Sequence, residues 1–416
     1  ADGSSGVSIL KGAVSVSKQN GLDALLKADY AAAERAFTAA LTENRNDPEA
    51  LIYLNNAKIG DSLSHAVALI VPGVGDETKR GTSQELMRGA AQAQTEINAV
   101  GGINGTSLQV LIVDDQDDPE IAKAIATSLA MDTDVLGVIG HFSSGTTLET
   151  TEIYEAEGLT LISPTSTSVD ISRAGDYIFR TVPSDRLAAS ALADYALDTL
   201  DTSQAAIFYN TDSNYSNSLK AEFETEFVSS GGAIVEGFDI QDANFRAASA
   251  LQTARGQGAE VIMLALSLDP VDPLLQILAS GQNSLPMLGS DSLYKSRLLS
   301  LAGANSLGLT VSAPWDILSH EQSEFVQESR QLWGADVNWR TAMVYDAVVA
   351  LAAGIEADPT REGVASALAA PDFQVEGATS PVRFLPRTGD RNQPFQLVEV
   401  VPGNRSGSGY DFVPVN

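Results

Sequence analysis

The stretch Val135-Leu136-Gly137-Val138-Ile139-Gly140-His141-Phe142-Ser143-Ser144-Gly145-Thr146-Thr147 decides how this chain folds. Its first five residues are apolar or glycine and rich in β-branched side chains, the pattern of a short strand buried on both faces. The turn that follows is crowded with hydroxyls and opens a helical stretch running through Glu157. Serine and threonine favour such starts because their oxygens accept the orphan N–H groups of the first turn. A buried strand passing through a short turn into a helix is half of a strand–helix–strand unit of parallel sheet.

Similar apolar runs lie outward on both sides, at 66–71, 108–113, 159–162, 205–209, 234–238, 261–266, 287–288 and 309–311. Amphipathic segments at 85–100 and 119–130 separate the early ones. Nine such units would make one very wide sheet, so two open sheets are expected. The fold class is α/β, with two doubly wound parallel-sheet lobes behind a short N-terminal helical segment. That segment differs in texture. Residues 28–41 are rich in alanine with apolar positions at helical spacing, Asn46-Asp47-Pro48-Glu49 is a cap with proline in the first turn, and a second helix spans 50–59 up to Gly60. The order resembles a single tetratricopeptide repeat. One repeat cannot bury its own face, so a hairpin packed on the main body or on a partner is the simpler expectation.

At 416 residues the chain has room for two or three domains. Its 25 Lys+Arg against 54 Asp+Glu give a net charge of −29, which repels phosphate backbones and anionic lipid and excludes nucleic acid as a partner. Cysteine is absent, and the three histidines (His65, His141, His320) are far apart, so neither a metal site nor a cofactor is expected. Asp114-Asp115-Gln116-Asp117-Asp118 does not match a calcium-loop spacing and reads as an exposed strand-to-helix turn. The sequence has no phosphate loop and no nucleophile elbow, so an enzyme is not expected. No apolar run is long enough to span a membrane. Ala1-Asp2-Gly3-Ser4-Ser5-Gly6 reads as a processed end, in keeping with an exported protein.

Open parallel sheets bind ligands at the carboxyl ends of their strands. Two such ends carry hydroxyl-rich turns: 140–147, and Ser163-Pro164-Thr165-Ser166-Thr167-Ser168 after the run at 159–162. Each offers N–H donors and a partial positive charge suited to a carboxylate or phosphate, and each is equally readable as ordinary capping.

Glu96-Ile97-Asn98-Ala99-Val100-Gly101-Gly102-Ile103-Asn104-Gly105 resembles the E-I-N-x-x-G-G-I-x-G signature of type I periplasmic binding proteins. Asp114-Asp115 with Asp118-Pro119, Gly140-His141 to Ser144, Ile153-Tyr154-Glu155 with Glu157-Gly158, Ile162-Ser163-Pro164, Phe179-Arg180-Thr181 and Pro183-Ser184-Asp185 continue the family's order. The resemblance covers residues 63–416 and is densest from 85 to 185. It is similar to the leucine/isoleucine/valine-binding branch, the solute receptors of ABC importers for amino acids and amides.

The resemblance implies two lobes joined by a three-strand hinge that close on a ligand: a helical extension over 1–62, lobe I over 63–186 with 316–383, and lobe II over 187–315 with 384–416. It gives the α-carboxylate to Ser144, with Ser143 beside it, and to Thr165, Ser166 and Thr167. It gives the α-ammonium to Asp291, where leucine-type members carry Glu, and places Tyr215 against the ligand. The departures are Ser267 for a pocket tyrosine and Arg80 and Arg340 near positions that are aromatic or apolar in the family. Either arginine would favour an anionic or polar side chain in a closed pocket, and would be merely solvated on a surface. The implied partners are an L-amino acid and an ABC importer permease, for a monomer in the periplasm or outside the cell, with any lipid anchor lying before residue 1. The alternative is a ligand-sensing receptor domain signalling to a protein through its helical extension.

Overall fold

The structure, a computed structural model, describes residues 14–73, 77–281 and 285–415. The end expected to be processed, residues 1–6, lies outside them. The chain opens with α1 (Val16–Leu25), α2 (Tyr30–Glu43) and α3 (Pro48–Ile59), then alternates β1 (Ser64–Val71), α4 (Glu77–Ala99), β2 (Ser107–Asp114), α5 (Pro119–Met131), β3 (Val135–Ile139), α6 (Ser144–Ala156), β4 (Leu161–Ser163) and β5 (Ile178–Arg180). It continues through α7 (Asp185–Asp194), β6 (Gln204–Tyr209), α8 (Asn214–Ser229), β7 (Ala233–Asp239), α9 (Ala247–Gly256), β8 (Val261–Ala265), α10 (Val271–Gly281), β9 (Met287–Gly289), α11 (Ser296–Ala302) and β10 (Leu309–Ala313). Last come α12 (Glu324–Trp333), α13 (Trp339–Ala357), α14 (Arg361–Leu368), β11 (Val375–Glu376), β12 (Pro381–Val382), β13 (Gln396–Pro402) and β14 (Tyr410–Pro414).

Two compact units result. The first holds the residues up to Ser166, with Asp170–Val182 and His320–Asn392. Its sheet has the order β2-β1-β3-β4-β5, with every pairing parallel. The chain steps one way from β1 to β2 and the other way from β2 to β3, so right-handed crossovers put α4 and α5 on opposite faces. Sheathed on both sides, β3 is buried at all five positions, as its unbroken apolar run requires. On the α4 face, α13 packs against α4 at Gly89, where a Cβ would lie 2.3 Å from the Thr341 carbonyl oxygen. Only glycine permits so close a crossing.

The N-terminal helices belong to this first unit. Helix α3 packs against α2, α4 and β2, and is buried along most of its length. Its Asn55 amide donates to Thr95 Oγ1 (2.8 Å) and its Asn56 amide to the Val110 carbonyl (2.8 Å). The apolar face of the α2–α3 pair is thus closed by the sheet unit rather than by further repeats. Three helices stand where two were expected. The added α1 is fixed by Lys18, whose Nζ lies 2.8 Å from Asp47 and 2.7 Å from the fully buried Glu49.

The second unit holds Thr167–Val169, Pro183–Ser319 and the residues from Gln393 onward. Its sheet order is β14-β13-β10-β9-β8-β6-β7, parallel from β7 to β10, with β13 and β14 added antiparallel. Strand order reverses between β6 and β8, and α7 with α8 packs apart from α9, α10 and α11. Each sheet therefore has a switch point, between β1 and β3 in the first unit and between β6 and β8 in the second, where open α/β sheets hold ligands.

Candidate ligand-binding site

In the first unit the turn after β3 leads into α6 through Ser143, the N-cap, with Ser144 buried in the first turn. The Ser143 hydroxyl donates to Asp117 at 2.6 Å, and Thr146 Oγ1 donates to the same oxygen at 3.0 Å. Burial raises the Asp117 carboxyl above its ordinary range; the Ser143 hydrogen bond and the Lys79 charge pull the other way. Ser143 is therefore committed within the protein. The same Ser143 oxygen accepts the Thr146 N–H, so the N-cap side chain closes the first turn of α6.

The turn after β4 meets the turn after β3 directly. Thr165 Oγ1 donates to the Phe142 carbonyl at 2.8 Å, and Ser166 Oγ lies 2.7 Å from Thr147 Oγ1. The structure thus brings Ser143, Ser144, Thr165 and Ser166 together, but it turns the Thr165 and Ser166 hydroxyls inward. The acidic cluster is also partitioned. Asp115 is wholly buried on His141, Asp117 takes the α6 hydroxyls, Asp118 caps α5, and Asp114 accepts the Gln116 N–H at 2.9 Å. The segment is the strand-to-helix turn expected, exposed at Gln116 and Asp118 and half-buried at Asp114 and Asp117; Asp115 departs from the expectation by being wholly buried. Among the described residues no group of three or more His, Cys, Asp or Glu could hold a metal ion.

Arg340 stands in the first turn of α13, 1% exposed, with its guanidinium 4.3 Å from the Trp339 ring centroid and 3.5 Å from Glu85. It is not a solvated surface arginine, and its charge is answered within the unit. Arg80, in the first turns of α4, is half-buried, and its Nε has no partner among the described residues.

In the second unit Thr167 is 0% exposed and its Oγ1 has no partner among the described residues, while its carbonyl accepts the Asp185 N–H at 2.7 Å. Tyr215, the second residue of α8, packs on the apolar core of this unit and points its hydroxyl at Asp291 (3.4 Å). Ser290 Oγ donates to the same Asp291 oxygen at 2.9 Å and accepts from Ser312 at 3.0 Å. Burial first, then the charges of Asp291 and Asp185, push the Tyr215 phenol well above its ordinary range, so it stays neutral. Asp185, which in Pro183-Ser184-Asp185 reads as an ordinary first-turn acid of α7, is wholly buried, and its charge adds to the rise of the Tyr215 phenol. Ser267 turns its hydroxyl to the Asp269 carbonyl at 2.5 Å.

The first unit thus gathers hydroxyls at the start of α6 and in the 163–166 turn, and the second buries Asp185 and Asp291, whose charges act on the neutral Tyr215 phenol. These features, on two open α/β sheets, define a solute receptor of the periplasmic type. The chain belongs to the Periplasmic binding protein family, whose profile matches residues 67–407. It is 27% identical over 316 residues to the leucine-, isoleucine-, valine-, threonine-, and alanine-binding protein of Pseudomonas aeruginosa, covering 74% of this chain and 83% of that one. It is 28% identical over 246 residues to an amino acid binding protein of the same organism, covering 58% of this chain and 65%, just under two thirds, of the relative. Among solved structures, an ABC transporter substrate-binding protein from Desulfitobacterium hafniense in complex with Leu superposes with a TM-score of 0.71 at 25% identity, over 84% of this chain and 100% of that one. The family's members are solute-binding proteins rather than enzymes, and membership implies an extracytoplasmic location.

Proposed function

We propose that this chain is the solute receptor of an ABC importer, a monomer that captures a free L-amino acid by closing its two lobes and delivers it to the permease. The observation that carries this reading is the Asp185–Tyr215–Asp291 cluster, a ready partner for an ammonium group, beside an unpartnered buried hydroxyl on Thr167. The names of the relatives, which bind amino acids, support it.

In this reading the ligand carboxylate meets the start of α6 at Ser144 and the 165–167 turn, where helix-end N–H groups and the Thr167 hydroxyl supply donors. The ammonium meets Asp291 and Asp185, with Tyr215 completing its shell. Contacts from both lobes exist only once they have closed, so the ligand shifts the population toward the closed form by its differential affinity. Closure removes water, which strengthens each charge-assisted hydrogen bond. Selection among amino acids falls to Ser267, Arg80 and Arg340, while Ser143 acts by fixing the turn.

The test is a thermal-shift screen of ligand-stripped protein against the twenty L-amino acids, followed by calorimetry. A ligand at 100 times its Kd adds about 2.7 kcal/mol of stability. Leucine, isoleucine, valine, threonine and alanine come first, since they are named for a relative. No shift with any of the twenty overturns the proposal.

A further inference from the structure

Beneath the two hydroxyl turns of the first unit lies a buried trio. His141 Nδ1 is 2.6 Å from Asp115 Oδ2 and its Nε2 is 3.0 Å from Tyr154 Oη, and all three residues are 0% exposed. They come from three segments: Asp115 follows β2, His141 follows β3, and Tyr154 sits in the last turn of α6. A carboxylate oxygen accepts, so Nδ1–H points at Asp115 Oδ2, and Nε2 faces the Tyr154 hydroxyl. Burial keeps Tyr154 protonated, and so able to donate. Both ring nitrogens are satisfied and the imidazole is fixed in plane.

The backbone of the same residue is the meeting point of the turns. The His141 carbonyl faces the hydroxyls of Thr147 (3.2 Å), Ser163 (3.4 Å), Thr165 (3.4 Å) and Ser166 (3.3 Å), and the next carbonyl, Phe142, takes Thr165 at 2.8 Å. A carbonyl has two lone pairs, so these hydroxyls share it, and a small displacement would redistribute them. On the other side, Gly140 has φ +152°, and a Cβ there would stand 2.7 Å from Ile70 Cβ, so this backbone path is open only to glycine. The 140–142 backbone is thus held by its ring and by its approach to β1.

We propose that His141 is a positioning residue for the ligand carboxylate: Asp115 and Tyr154 hold its ring, the ring holds the 141–142 carbonyls, and these hold the start of α6 and the 163–166 turn where an anion is met. Side chains that never touch the ligand therefore set its affinity. The inference rests on the amino-acid reading given above.

The deciding variant is Tyr154→Phe, which removes one oxygen and keeps the ring, with His141→Gln as the harsher companion. The probe is whichever of the twenty L-amino acids gives wild-type protein its largest thermal shift, compared with the amide of that same amino acid, which lacks the carboxylate charge. Calorimetry should show Tyr154→Phe reducing the preference for acid over amide about tenfold, the loss of one buried hydrogen bond's worth of alignment. Nitrogen-detected NMR of the imidazole should show a proton on Nδ1 in wild-type protein. A merely structural role would weaken acid and amide equally and leave their ratio unchanged; that outcome in a folded Tyr154→Phe protein overturns the proposal. Wild-type protein that binds none of the twenty overturns the amino-acid reading and this inference with it.

Discussion

Thr167 is wholly buried, and its Oγ1 has no hydrogen-bond partner among the described residues. A wholly buried hydroxyl with no hydrogen bond costs about 1–3 kcal/mol, and native proteins keep few of them. Thr167→Val keeps the shape and removes the stranded group. The ligand-free protein should therefore gain about 1 kcal/mol while affinity for the amino acid falls. Paired melting curves and calorimetry check both signs; a variant that loses stability without ligand would show that the hydroxyl is satisfied. Asp291→Ala should weaken binding by about 2–5 kcal/mol, as expected when one partner of a buried charge pair is truncated. Less than a threefold change in Kd would remove Asp291 from the site. The sequence made the two hydroxyl turns visible because serine and threonine cluster after buried strands. It could not show which hydroxyls stay free. Thr165 and Ser166 donate to carbonyls that lie more than twenty residues away in the chain, and that geometry exists only after β3 and β4 have paired.

Elements were legible where one face or both faces are continuously apolar, as in β3, and illegible where burial is achieved by pairing charges. Helix α1 is the clearest case. Its docking residue is Lys18, buried through Asp47 and Glu49, so the hydrophobic period is broken where the helix is most firmly held. Three-residue β5 is too short to leave a pattern, and β13 alternates buried Val398 and Val400 with Glu399, a half-buried antiparallel strand among parallel ones. A similar charge-bearing interface joins α4 to α13. Tyr345 donates to Glu96 at 2.6 Å, and burial, with the neighbouring Glu328 charge, raises the Glu96 carboxyl from 4.5 to about 7, against the pull of Tyr345 and Gln92. The folded state therefore binds this proton more tightly than the unfolded chain. Its contribution is present below pH 4.5 and is lost as pH rises through about 7. Discounted for partial exposure, the loss is about 1–3 kcal/mol. Urea unfolding between pH 5 and 8 should show stability falling over this window in wild-type protein, and a flatter profile in Glu96→Gln. Parallel profiles would mean that Glu96 does not titrate there.

For the whole molecule the governing quantity is the net charge of −29, since 25 cations cannot neutralise 54 carboxylates however they are arranged. Like charges on a compact body repel, and unfolding relieves the repulsion by spreading them. The repulsion is carried through solvent, so it depends on the Debye length, about 30 Å at 0.01 M salt and about 3 Å at 1 M. Raising sodium chloride across that range should stabilise the ligand-free protein by about 1 kcal/mol or more, a shift of roughly 1 °C or above at this size. Choline chloride should act as sodium chloride does if screening is the cause, whereas a rise confined to sulfate would point to exclusion of the salt from apolar surface. The same field bears on the ligand. A free anion approaching at low salt is repelled by the whole molecule before it reaches the donors at α6; a zwitterion carries no net charge and feels little of this. Its association rate should therefore change little between 0.01 and 1 M salt, while the rate for an anionic ligand should climb as the field is screened. Stopped-flow measurement of association across the salt series separates the two, and a steep rise would mean that the natural ligand is a net anion rather than a neutral amino acid.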